Sequence, residues 1–122
     1  MPTKTRHDLH STEFGLWLRQ QLDIDSSLGF VATNLDYIWC NFKSGEWMLI
    51  EEKRHGGLIQ FYQQRLFDKI DKLCQADVLY RGFHKITFEN TSPADGNIWL
   101  DGKKITSTEL LQFLQFKMNL SP

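Results

Sequence analysis

The sequence predicts an α/β domain in which a central mixed β-sheet is flanked by helices and followed by a C-terminal hairpin and helix. Three observations carry this. Two aromatic-rich apolar runs are parted by a polar, glycine-containing break, an amphipathic stripe at helical spacing follows them, and a second hairpin signal precedes a helix cap near the C-terminus. At 122 residues with 41% hydrophobic content, the chain can enclose one modest core, and nine Phe and four Trp set it apart from disordered sequences.

Residues 1–10 lack periodicity and read as a flexible N-terminal arm, leaving 11–122 as a single domain. Ser11 or Thr12 can cap a helix through Phe14, Trp17, Leu18 and Leu22, with Glu13 in its first turn, where a carboxylate favours the helix dipole. Asp23 to Gly29 reads as a connection or one short helical turn, and Gly29 to Ala32 is the only material for a strand before the main pair. Leu35–Phe42 and Trp47–Glu52 have strand character, and Asn41 to Glu46 supplies the turn. After Gly56-Gly57, the positions Ile59, Tyr62, Leu66, Ile70 and Leu73 or Cys74 form a helical stripe. Arg81–Phe88 reads as a further strand, and Asn90 to Gly96 as a loop. Asn97–Leu100 and Lys103–Ile105 flank Asp101-Gly102, the strongest short hairpin signal in the chain. Thr106 and Glu109 stand in capping-box spacing before Leu110, Leu111, Phe113 and Leu114. Trp17, Trp39, Trp47 and Trp99 are expected mostly in the core.

The net charge of −1 argues against a DNA-coating protein but not against an enzyme, whose metal site is itself acidic. Cys40 and Cys74 are too few for a zinc site and read as buried free thiols of a reducing compartment. The polar N-terminus has no apolar secretory core and no stretch is long enough to span a bilayer, so the expectation is a cytoplasmic chain without a membrane partner.

The period of two in strands puts Asp36, Ile38 and Cys40 on one face of the first run, and Trp47, Leu49, Glu51 and Lys53 on one face of the second. Glu52 points the other way. If the runs are adjacent, two carboxylates and an ammonium converge, which is a ligand set for a hard divalent cation with a cation beside it to hold a phosphate. Taken singly, each residue has a plainer reading as an edge residue or a solvated ion pair. Their order raises the signal, because Glu51 closes an apolar strand where an unpartnered carboxylate would be costly.

Asp36, a hairpin-length gap, then Glu51-x-Lys53, with Glu13 on a preceding helix, resembles the PD-(D/E)xK nuclease superfamily. The similarity spans roughly residues 11 to 90, with Leu35 where the family often has proline. The resemblance implies a restriction-endonuclease-like core and an Mg²⁺-dependent endonuclease acting on DNA, with Mn²⁺ able to substitute. Asp36, Glu51 and the backbone carbonyl of Glu52 would hold the metal. Lys53 would position water or phosphate, a task that suits a lysine between carboxylates better than general-base work. Glu13 would complete the shell, or else serve only the helix dipole. Gln63 is the glutamine of the following helix assigned to the site, while Gln60 and Gln64 read as solvated. Lys43, Arg54, His55 and Arg65 are the candidate DNA contacts, with Arg54 and His55 on a basic, glycine-containing loop; Arg81 is a further basic residue near the cleft. One site per chain implies a homodimer or sequential nicking for double-strand cleavage. The competing expectations are a non-catalytic nucleic-acid-binding or assembly module, and a structural ion pair in an unrelated fold.

Overall fold

A computed structural model describes residues 12–118, so the proposed N-terminal arm and the Ser11 cap lie outside the described residues. The chain divides into two units, one ending at Asn34 and the other beginning at Leu35. In the first, helix α1 spans Glu13–Arg19, and Thr12 Oγ1 accepts from the Gly15 N–H at 2.9 Å, as an N-cap should. The helix stops before Leu22, which begins a short 3-10 turn, Leu22–Ile24. A second turn, Ser26–Leu28, ends at Gly29 with φ of 96°, a left-handed conformation that favours glycine. No strand forms over Gly29 to Ala32.

The second unit is built on a five-stranded mixed sheet in the order β1-β2-β3-β4-β5, from β1 (Tyr37–Cys40), β2 (Trp47–Lys53), β3 (Tyr80–Phe88), β4 (Ile98–Leu100) and β5 (Lys103–Ile105). Helix α2 (Phe61–Cys74) crosses from β2 to the parallel strand β3, and α3 (Ser107–Leu114) follows β5. The other pairings are antiparallel. At the β4–β5 turn, Asp101 and Gly102 both take positive φ, 52° and 86°, as the Asp-Gly signal requires. The Thr106–Glu109 capping box forms reciprocally: Glu109 N donates to Thr106 Oγ1 at 3.1 Å and Thr106 N to Glu109 Oε1 at 2.9 Å.

Core packing divides by sheet face. Met48, Ile50, Ile86, Phe88, Ile98, Leu100 and Ile105 pack with Leu110 and Phe113 of α3. On the opposite face, Phe67 of α2 stacks on Phe83 with ring centroids 4.9 Å apart, over buried Leu49. The stripe that predicts α2 is not the face it buries. Tyr62, Leu66, Ile70 and Leu73 are exposed, while Phe67 is the helix's one buried residue. Asp71 fixes this rotation, because its Oδ1 accepts from the Tyr80 hydroxyl at 2.6 Å and the Phe83 N–H at 3.0 Å.

Those two bonds sit at an irregularity in β3. Trp47 pairs with Tyr80, yet Leu49 pairs with Phe83, so β3 carries one extra residue there, where Gly82 has φ of 98°. Asp71 satisfies a backbone donor at this bulge. The thiols also depart from expectation: Cys40 is exposed on the edge strand β1, and Cys74 is half-buried at the end of α2. Of the tryptophans, Trp17 and Trp39 are exposed, and Trp47 and Trp99 are half-buried. Trp39 gives its Nε1–H to the Leu114 carbonyl at 2.8 Å and Trp47 gives its own to Asp77 at 3.1 Å, so each indole keeps a polar edge toward a partner.

His84 locks the sheet to the β4–β5 turn. Its Nδ1 lies 2.7 Å from Asp101 Oδ2, its Nε2 lies 2.7 Å from the Arg81 carbonyl, and the Phe113 ring meets it edge-on at 5.1 Å. Both ring nitrogens thus face acceptors, an arrangement that suits the doubly protonated imidazolium. Burial alone would push the His84 pKa down, but the bonds to Asp101 and the Arg81 carbonyl outweigh it, so the net shift is upward. Stability from this pair is therefore fully present below about pH 6.5, the ordinary histidine value, and is lost as pH rises through the raised value. Asp101→Asn, which tolerates the left-handed backbone, is expected to cost about 1–2 kcal/mol near pH 5.5. The deficit should shrink by pH 9 in urea titrations; a pH-independent deficit would contradict the charged pairing.

Candidate active site

The sheet register brings the acidic residues together. Tyr37 pairs with Ile50 across the β1–β2 hairpin, so Asp36, one residue before β1, continues the ladder opposite Glu51. The contacts are reciprocal. Asp36 N donates to Glu51 Oε1 at 3.2 Å, and Glu52 N donates to Asp36 Oδ2 at 2.9 Å. Glu51 is 3% exposed and its second oxygen, Oε2, lies 3.3 Å from Lys53 Nζ. The strand alternation places Lys53 beside it because residues two apart share a face.

Burial pushes the Glu51 carboxyl above the ordinary range and the charge of Asp36 adds to this, while Lys53 opposes both. Two carboxylates at one spot, one of them deeply buried, make a site that gains by taking up a proton or a cation. The converging donors are oxygens. Among the described residues, no group of three or more His, Cys, Asp or Glu side chains gathers in a way that would hold a metal ion. A pair of carboxylates is sparse for Ca²⁺, but it fits Mg²⁺, which uses one or two and keeps several waters.

Glu52 turns its side chain to the opposite face, where its Oε1 accepts from the Tyr37 hydroxyl at 3.0 Å and its Oε2 pairs with Arg54 Nε at 2.7 Å. Arg54 is thereby engaged within the protein. The turn at His55-Gly56-Gly57 is pinned to the end of β3, with His55 N donating to the Asn90 carbonyl at 2.8 Å and Gly56 N to that of Phe88 at 3.0 Å. Positive φ at His55, 54°, and at Gly56, 67°, shapes this fixed turn.

Of the other sequence candidates, Gln63, Arg65, Lys43 and Arg81 belong to this unit. Gln63 lies in the first turn of α2, and its Oε1 accepts from the Gln60 N–H at 3.3 Å, which serves the helix start. Arg65 lies over the Phe61 ring, 5.5 Å from its centroid. Lys43 is exposed in the β1–β2 turn, where its N–H donates to Asn41 Oδ1 at 2.8 Å. Arg81 Nε pairs with Glu46 at 3.1 Å. Glu13 is in the first turn of α1, in the other unit.

Two residues absent from the sequence reading share the face of Glu51 and Lys53. In the β2–β3 ladder Glu51 pairs with Lys85 and Lys53 with Thr87, and paired residues project to the same side of a sheet. Their signal is invisible in sequence, because without the extra residue at Gly82 the ladder from Trp47 and Tyr80 would bring His84 and Ile86 to that face instead. No helix of the described residues is long and apolar enough to cross a membrane. No protein family, curated protein or solved structure matches this chain.

Proposed function

We propose that the protein is a metal-dependent endonuclease of the PD-(D/E)xK type with a restriction-endonuclease-like core, hydrolysing phosphodiester bonds in DNA. The observation that carries this reading is Glu51. It is a buried carboxylate at the end of a central strand, facing Asp36 across the hairpin and Lys53 along the strand. Asp36 and Glu51 would hold Mg²⁺, with Mn²⁺ able to replace it and the Glu52 carbonyl beside them. The ion, when bound, supplies Lewis-acid polarisation of the phosphoryl oxygen and lowers the pKa of a bound water. Lys53 offsets negative charge as the diester is attacked. Because the Glu51 carboxyl is held above its ordinary range, protons compete with a metal ion for it, and metal uptake should weaken toward acid pH. Double-strand cutting would need a homodimer or two successive nicks.

The reading is tested by incubating supercoiled plasmid and branched DNA with the protein in Mg²⁺, Mn²⁺ or EDTA, alongside Asp36→Ala. Nicking that needs metal and Asp36 is the expected result. If neither DNA is cut and calorimetry detects no divalent binding, the reading fails.

A second reading draws on the reciprocal bonds among Asp36, Glu51 and Glu52, which are also what a purely structural clasp of β1 onto β2 would use. Glu51→Gln separates the two. Its carboxyl ionises at a lower pH in the unfolded chain than in the fold, so wild-type stability falls as pH climbs from the ordinary carboxylate range through the raised value, and stays lower above it. The nuclease reading therefore predicts that Glu51→Gln raises stability at pH 7.5 by about 0.5–2 kcal/mol, a gain won at the expense of function. The clasp reading predicts a loss. Denaturant midpoints at pH 4 and 7.5 decide, and the gain should appear only at the higher pH.

A further inference from the structure

We infer that Lys85 and Thr87 form a backbone-phosphate grip beside the acidic corner, so that the site takes a polynucleotide and not an isolated diester. The inference rests on the nuclease reading of Asp36, Glu51 and Lys53. Lys85 is half-buried and, among the described residues, enters no ion pair, although its ladder partner is the carboxylate Glu51. Thr87 is only 8% exposed and its hydroxyl has no hydrogen-bond partner among the described residues. A buried hydroxyl without a partner among the described residues is costly in the free protein, and an anion that accepts from it and from the unpaired ammonium beside it relieves that cost.

The bulge at Gly82 gives the arrangement its polarity. It moves His84 and Ile86 to the face packed by α3, leaving Lys85 and Thr87 on the face of Glu51 and Lys53. Across that face the carboxylates lie over β1 and β2, whereas the cations lie over β2 and β3. A metal held at the acidic side and a phosphate chain leaving over β3 fit this order, with Lys53 at the reacting phosphate and Lys85 at its neighbour.

The experiment compares wild type with Lys85→Met, Lys85→Arg and Thr87→Val. DNA affinity is measured over a range of salt with Ca²⁺ replacing Mg²⁺, and kcat and KM for DNA cleavage are measured in Mg²⁺. Lys85→Met is expected to raise KM about tenfold with a much smaller change in kcat, and to lower the slope of log affinity against log salt by about one. Lys85→Arg should restore the slope, and Thr87→Val should raise KM in the same direction. Thermal melting of Lys85→Met at or above the wild-type temperature excludes misfolding as the cause. If Lys85→Met cleaves with unchanged KM and salt slope, or if it falls mainly in kcat, the grip is overturned while the nuclease reading stands. If wild type neither binds nor cuts DNA, both are overturned.

Discussion

On the nuclease reading proposed above, replacing Lys53 with methionine should slow DNA cleavage by about 10²–10³-fold at saturating substrate, equivalent to about 2.7–4 kcal/mol of lost transition-state stabilisation. Methionine keeps the length and apolar stem of lysine and removes only the charge that lies 3.3 Å from Glu51. The loss should fall on kcat, since a charge that offsets developing negative charge matters most in the transition state. Mg²⁺ affinity should not weaken, because a cation next to two carboxylates competes with the metal for them. Asp36→Asn should behave differently and lose metal binding together with activity. Single-turnover cleavage and calorimetric Mg²⁺ titration read the two effects separately. A Lys53→Met protein that cuts within about threefold of wild type would remove Lys53 from the chemistry.

The largest effect on folding should come from Phe113→Ala, at about 3–5 kcal/mol. The ring is 1% exposed on α3 and packs with Met48, Ile50, Ile86 and Phe88 of the sheet, and it meets His84 edge-on. Truncation leaves a void bounded by strands on one side and helix backbone on the other, neither of which can collapse freely. Against the 5–15 kcal/mol typical of a whole domain, such a loss should lower the melting temperature by on the order of 10–20 °C. Because Phe113 lies on the face opposite Glu51 and Lys53, the folded variant should keep that corner intact and, on the nuclease reading, cleave at the wild-type rate at low temperature. A loss under about 1 kcal/mol would mean that α3 is not anchored through this ring.

The two predictions depend on different kinds of sequence information. The mixed sheet, the flanking helices and the C-terminal hairpin and helix were legible because their signals are local. Asp101-Gly102 sets its own backbone, and Thr106 with Glu109 closes its own helix turn. The meeting of Asp36 with Glu51 was legible for a related reason, since a short hairpin turn fixes the register of its two strands. What failed depended on partners remote in sequence. Hydrophobic periodicity favours the Tyr62, Leu66 and Ile70 side of α2, but the helix turns Phe67 and Asp71 inward, because Asp71 meets backbone and hydroxyl donors on β3. Other contacts are local, yet residue type alone did not show them: Gln63 with Gln60, Arg65 over Phe61 and Arg54 with Glu52. Lys85 stayed hidden because one extra residue at Gly82 reverses which side chains of β3 face Glu51.

The parallel pairing of β2 with β3 also sets an order in time. The hairpin that joins Asp36 to Glu51 closes over a short loop, whereas Lys85 reaches Glu51 only after the chain has traversed all of α2. Closing the longer loop costs more entropy before any contact rewards it, so this step is expected to set the folding rate. The acidic corner is thus expected to form before Lys85 joins it. During refolding, trimming Leu49 should chiefly slow folding.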